Sequence, residues 1–345
     1  MLYATTRGKH DIVTAYKAAH TDCYTDGGLY VPFRLLQLNK EQLNQLMSGN
    51  PAQITANVLN LFFTCDITAA DVETATGRRP VECVALGRRL LVAEFWHNSS
   101  ADVSRVVQRL SDRICAGKRG ERPSNWMQVA VRIALLFATW GSLRSSDLVR
   151  TNNRLDVAVI TGDFAMPMAV WYARQMGLPI GNIICGCNSN GGFWDLLNRG
   201  EFSTGDLVTG TTTPEADIVV PRNLERLICA TLGVEETKQY LLCCSKGRTY
   251  RLSEDQLKIL GKGLFAAVIS DSRVASIISG VYHTCSYVLD PYAALAYGSL
   301  QDYGAMTGQI NPVLLVSERS PARSREYVSK LLQIEENELK NLITG

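Results

Sequence analysis

What this chain lacks narrows its function first. No uninterrupted apolar run reaches the ~20 residues that a bilayer demands. The opening MLYATTRGKHD has no basic stretch followed by an apolar one, so no secretory leader is read there. The formal net charge is only +2, which argues against a surface built for nucleic acid. There are four histidines and no pair of CxxC units, so a zinc site has no ligand set of the right spacing. Ser-His-Asp, P-loop and dinucleotide fingerprints are absent, as are internal repeats and low-complexity tracts. Metal, nucleic-acid and membrane roles therefore fall away. The expected location is the cytoplasm.

What remains is ordinary for a globular protein. Hydrophobic residues make up 46% and charged residues 20% of 345 positions. That length suits one large domain with a smaller one. Ten cysteines sit mostly in apolar surroundings, as at LICATL around Cys229 and IICGCN around Cys185. They read as buried free thiols of a reducing compartment.

Apolar spacing organises the chain. Residues 39–76 are helical in period, and so are 102–115, where Val103, Val106, Val107, Leu110 and Ile114 form a stripe. Residues 89–96 read as a strand. A polar connector at 116–124 (AGKRGERPS) precedes the apolar run NWMQVAVRIALLFATW. From 155 onward short apolar strands at 156–161, 182–188 and 312–317 alternate with helices at 167–176, 223–231 and 291–303. An amphipathic helix pair closes the chain at 323–343. The class is α/β.

Several segments resemble one family. Tyr3, Thr5, Thr6, Arg7 and Gly8, then Asp26–Pro32 (DGGLYVP), follow the opening of the threonine synthases in order and spacing. Asn125 and Trp126 match a family Asn-Trp helix. AVWYARQMGLPI (169–180), TPEADIVVPRNLERLI (213–228) and LDPYAALAYG (289–298) match further on. The resemblance implies the fold of pyridoxal-phosphate enzymes of type II: a three-layer parallel-sheet domain with an N-terminal α+β extension. The division it suggests is an N-terminal domain at 1–88 and a reduced α/β domain at 89–345. In that division the 116–124 connector replaces a largely deleted small domain.

The resemblance fails where the family does its chemistry. Its lysine segment runs Glu-Leu-Phe-His-Gly-Pro-Thr-x-Ala-Phe-Lys-Asp. Here AEFWHNSSADVSR (93–105) keeps Glu94, Phe95 and His97 but carries Asn98, Ser99 and Ser100 for Gly-Pro-Thr. Ser104 falls at the lysine, and a hydroxyl cannot form an imine. No Ser-Gly-Asp-Thr-Gly loop occurs between Arg105 and Asn125. The family phosphate loop, Thr-Gly-Asn-Phe-Gly-Asn, becomes Thr161, Gly162, Asp163, Phe164, Ala165 and Met166. A helix start offers unpaired N–H groups to an anion. Asp163 is expected to cap those donors itself. It would also repel a phosphate by about 4 kcal/mol per unit charge pair at ~4 Å and an effective dielectric near 20. Tyr292 and Ala293 replace a family His-Thr pair, and Ser317–Ser324 replaces Thr-Ala-His-Pro-x-Lys-Phe.

The reading that follows is a threonine-synthase-like protein without catalysis. It would have no cofactor, a vestigial phosphate loop at Thr161–Ala165, and a cleft bordered by His97, Asn98, Ser99 and Ser317. Loss of the lid would expose apolar surface for a partner, either a second copy or an active paralogue. A small amino-acid-like ligand is a further possibility. The alternative is a pyridoxal-phosphate lyase using another lysine; Lys118 is the nearest in sequence, although its AGKRGER surroundings read as solvated. His283, among apolar neighbours, is expected in the core.

Overall fold

The computed structural model describes residues 1–8, 12–77, 81–96, 102–115, 122–144, 154–204, 207–308 and 311–344. A three-stranded antiparallel sheet opens the chain, with β1 (Leu2–Thr5) between β2 (Val13–Thr14) and β3 (Tyr30–Pro32). The DGG segment turns as its residues dictate. Asp26 Oδ1 accepts from Gly28 N at 2.9 Å, and Gly27 sits at φ +78°, where a side chain would be strained. Helices α1 (Ala15–His20), α2 (Lys40–Leu46), α3 (Pro51–Phe63) and α4 (Ala69–Thr76) complete this unit. Asn39, Asn50 and Thr68 cap the last three in turn.

The main sheet has six strands: β4 (Glu82–Ala85), β5 (Leu90–Glu94), β6 (Leu155–Ile160), β7 (Ile180–Cys187), β10 (Leu264–Val268) and β11 (Val313–Ser317). A separate two-stranded ribbon, β8 (Glu201–Phe202) and β9 (Tyr250–Arg251), makes up the count. The order in the main sheet is β10-β7-β6-β11-β5-β4, parallel except for β4, which runs antiparallel to β5. Thus β4 lies before residue 88 yet belongs to the main sheet. The parallel strands are continuous apolar runs because both faces are covered. One face is packed by α5 (Val103–Ile114), α6 (Asn125–Leu143), α7 (Ala165–Gln175), α8 (Gly192–Arg199) and α9 (Leu224–Leu232). The other carries α12 (Asp271–Cys285), α13 (Pro291–Thr307), α14 (Arg325–Leu332) and α15 (Glu336–Thr344). Helices α10 (Val234–Ser245) and α11 (Glu254–Leu260) pack against α9 on the first face. The expected α/β three-layer class with an α+β extension is what is found.

Two details bear on the expectations. By length and composition α6 could cross a membrane, but 83% of its apolar window is buried inside the protein. It is the core helix, packed between α3 and α7. The ten cysteines are all free thiols, but only Cys185 and Cys187 are fully buried and Cys285 is exposed. The apolar neighbours of the others cover them only in part.

The N-terminal unit is tied to the main body by Thr6 and Arg7 on Glu225, by Trp126 on Tyr3, and by one buried guanidinium. Arg226 on α9 is fully buried. Its Nε donates to the Tyr30 carbonyl at 3.0 Å, and its Nη1 donates to Asn125 and Asn223. It lies 5.6 Å from the Trp126 ring. Burial pulls its pKa down to about 10, opposed by Tyr172 and Glu225.

Candidate functional site

The carboxyl ends of parallel strands are where an α/β sheet ordinarily receives a ligand. Here β6 delivers the loop Thr161–Asp163 to that edge, and α7 starts at Ala165. Gly162 at φ +43° and Phe164 at φ +68° make the sharp turn. Phe164 tolerates this conformation while packed on Phe193, ring centroids 4.6 Å apart. Asp163 Oδ1 accepts from Ala165 N at 2.9 Å, so the carboxylate occupies a helix-start donor that an anion would otherwise use. Asn223 fastens the loop from the side. Its N and Nδ2 donate to the Asp163 carbonyl at 2.9 and 3.2 Å, and Nδ2 also reaches Asp163 Oδ2 at 3.3 Å.

Facing this loop is a small cleft of about 250 Å³. Asp102 and Ser104 come from the start of α5 and Arg132 from α6. Glu215 comes from the turn Pro214–Ala216, Tyr292 from α13, and Glu318 and Arg319 from the chain just past β11. The volume lies below the 300–1,000 Å³ of ordinary ligand pockets.

Its charges close on one another. Arg132 Nε donates to Glu318 Oε1 at 2.6 Å, and Arg132 Nη1 is also held by Gln128. Burial raises the Glu318 pKa, and Arg132 opposes the rise. Arg319 pairs with Glu215 and lies 4.1 Å from the Tyr292 ring centroid. The Arg319 pairing lowers the Glu215 pKa. Arg323 pairs with the buried Asp102. Asp102 Oδ1 also accepts from Ser104 N at 2.7 Å and from Ser104 Oγ at 2.5 Å, capping α5. Behind the cleft Asp290 caps α13 through Tyr292 N and Ala293 N at 3.2 and 3.0 Å. Its pKa rises to about 7 because burial outweighs those bonds.

The fold thus brings Ser104 and Thr161, Gly162 and Asp163 to one cleft. Phe164 and Ala165 stand just behind as packing and as the capped N–H. Ser317 lies beneath the cleft rather than on its wall. Its hydroxyl accepts from Trp96 Nε1 at 3.0 Å and donates to the Arg319 carbonyl at 3.2 Å. His97, Asn98, Ser99 and Lys118 fall outside the described residues. His283 is exposed rather than buried, because α12 carries it near its solvent-facing end, beside Tyr282. None of the exposed large apolar side chains among the described residues lines this cleft. Asp102, Arg132, Glu215, Glu318 and Arg319 were not singled out by the sequence.

Pyridoxal phosphate needs an amine for its aldehyde and donors or cations for its phosphate. Among the described residues the lining has four carboxylates, two arginines and no lysine. Both arginines are paired, and the loop aspartate already holds the Ala165 N–H. These residues do not fit the cofactor.

The comparisons agree with the geometry on ancestry. Residues 2–78 match the family described as threonine synthase N terminus. The opening segment of the chain is thus similar to the threonine synthases. The orangutan (Pongo abelii) threonine synthase-like 1 is 26% identical over 176 residues, which is 50% of this chain and 24% of that protein. The threonine synthase of Pseudomonas aeruginosa is 26% identical over 213 residues, 60% of this chain and 43% of that one. The match therefore spans less than half of either relative's length. Among solved structures, a pyridoxal-phosphate-bound threonine synthase from Brucella melitensis superposes with a TM-score of 0.82 at 18% identity, covering 100% of both chains. The yeast threonine synthase gives 0.83 at 15%, covering 99% of this chain and 93% of its own. These likenesses establish the fold, and the cleft has its own chemistry.

Proposed function

We propose that this threonine-synthase-like chain does not catalyse the family reaction and works by binding. The observation carrying the proposal is the closed charge set of the cleft. Arg132–Glu318, Arg319–Glu215 and Arg323–Asp102 pair internally, and Asp163 takes a helix-start donor. A dianion entering there meets carboxylates and already engaged guanidiniums. With Ser104 read at the lysine position, no amine among the lining residues would tether an aldehyde. In this reading the partner is a second copy of the chain or an active paralogue, and a small zwitterionic amino acid could occupy the cleft. The cytoplasm is its proposed location, supported by ten cysteines held as free thiols.

The test is direct. Purified protein mixed with pyridoxal phosphate should stay free of the yellow colour of a bound cofactor. Borohydride treatment followed by mass spectrometry should then find no added mass. A coloured protein with the label on one lysine would overturn the reading in favour of a lyase with a relocated amine. Sedimentation over a concentration series addresses the partner: a monomer throughout would remove the second copy. Thermal-shift screening against free amino acids addresses the ligand, and a flat response removes it.

A further inference from the structure

A cavity of about 810 Å³ opens at the other end of the main sheet. It is formed where β6, β7 and β10 begin and where the chain enters β11. Six residues of β6 separate it from the Thr161 loop, about 20 Å at ~3.3 Å per residue. Three cations line it: Arg154 just before β6, Arg174 on α7 and Lys262 just before β10. No carboxylate side chain stands among its described lining residues. Arg174 is fixed in place. Its Nη1 donates to the carbonyls of Gly181 and Gly263 at 3.2 and 3.1 Å, and its Nη2 to that of Lys262 at 3.4 Å. Burial lowers its pKa, and the positive charge of Arg154 lowers it further. Arg154 and Lys262 are exposed at its rim. The wall also has carbon surface: Trp171, Leu178 and Ile259, the last 54% exposed to solvent.

Behind the wall one carboxylate, Asp156, is taken up by Asn182 N and Asn311 Nδ2 at 2.7 and 3.2 Å, so the three cations outnumber it and favour a mobile anion; guanidinium groups with a lysine are the side chains that bind phosphate oxygens best. The apolar wall gives the carbon part of such an anion a surface to cover. We propose that this basin is a binding site for a small organic phosphate bearing at least two negative charges, anchored by Arg154, Arg174 and Lys262. It is separate from the cleft, so it stands whether or not the cleft proves silent.

The experiment uses the full chain with inorganic phosphate, pyrophosphate and adenosine diphosphate as probes. Calorimetry at constant ionic strength follows binding to the wild type and to R154E, K262E and K330E. Lys330 lies on α14 in an exposed pair with Glu326, remote from the basin. Pyrophosphate and adenosine diphosphate are expected to bind, the latter more tightly through the apolar wall. R154E and K262E should each weaken both by about tenfold or more, while K330E should bind as the wild type does. No binding by any probe overturns the site. So does equal binding by the wild type, R154E and K262E. Equal loss in K330E would reduce the effect to net charge and overturn it as well. Pyrophosphate binding as tightly as adenosine diphosphate would overturn the organic part of the assignment.

Discussion

The two ends of the main sheet treat charge in opposite ways. At the carboxyl end, arginines and carboxylates from five separate segments meet and neutralise one another across about 250 Å³. At the amino end, three cations surround about 810 Å³ without an acidic side chain in the described lining. Both arrangements stand on the same strands, so the fold alone does not decide which edge can take a ligand. What decides it is whether the charges are already satisfied. A paired set resists a newcomer because a bond must break first, whereas an unpaired set gains from one.

That contrast can be broken by removing charges at each end. The largest effect is expected from R132A. It leaves Glu318 buried without its partner, and chemical denaturation should show a loss of about 3 kcal/mol. A loss below about 1 kcal/mol would mean that the cleft charges are not mutually dependent. R319A should cost about 1–2 kcal/mol, because Glu215 is half-exposed and screened while the Tyr292 stacking is lost outright.

A third measurement follows stability against pH. The folded pKa of Asp290 is raised from 3.8 to about 7, so the folded state holds the proton more tightly than the unfolded chain. Its contribution is therefore full below about pH 4 and is lost as pH rises through about 7. D290N keeps an acceptor for the α13 cap but removes the titration, and should flatten the curve across that window. An unchanged slope would assign it to other groups. The smallest effect is expected at the other end. R154Q relieves repulsion on Arg174 and breaks no ion pair among the described residues, so stability should stay within about 0.5 kcal/mol or rise slightly. A clear loss there would show that Arg154 is engaged in folding rather than waiting for an anion.

The architecture was legible because burial leaves a period in the sequence. Strands β5, β6, β7 and β11 and helices α5, α6, α7, α9 and α13 all lie within a few residues of their expected positions. β10 was not read. Its run LFAAV is short and borders the helix α11, and apolar period cannot tell a five-residue edge strand from helix flank. The loop Thr161–Asp163 was legible too, since a strand leading into a Gly-containing turn and a helix has a fixed grammar. The remaining cleft walls were not. Asp102, Arg132, Glu215 and Glu318 are far apart in sequence, and nothing local marks a charge that will find its partner 186 residues away, as Arg132 does with Glu318. His283 misled for a related reason: apolar neighbours signal the core only if the helix turns that face inward.

The buried Arg226 has a practical consequence for anyone dividing this molecule. Its Nε needs the Tyr30 carbonyl, which belongs to the opening 2–78 segment. Cut that segment away and a guanidinium deep inside the remaining body loses an acceptor that solvent cannot easily replace. The leading piece, for its part, loses the helix against which its own core closes. The two pieces should therefore behave as halves of one cooperative unit, recovered together or not at all.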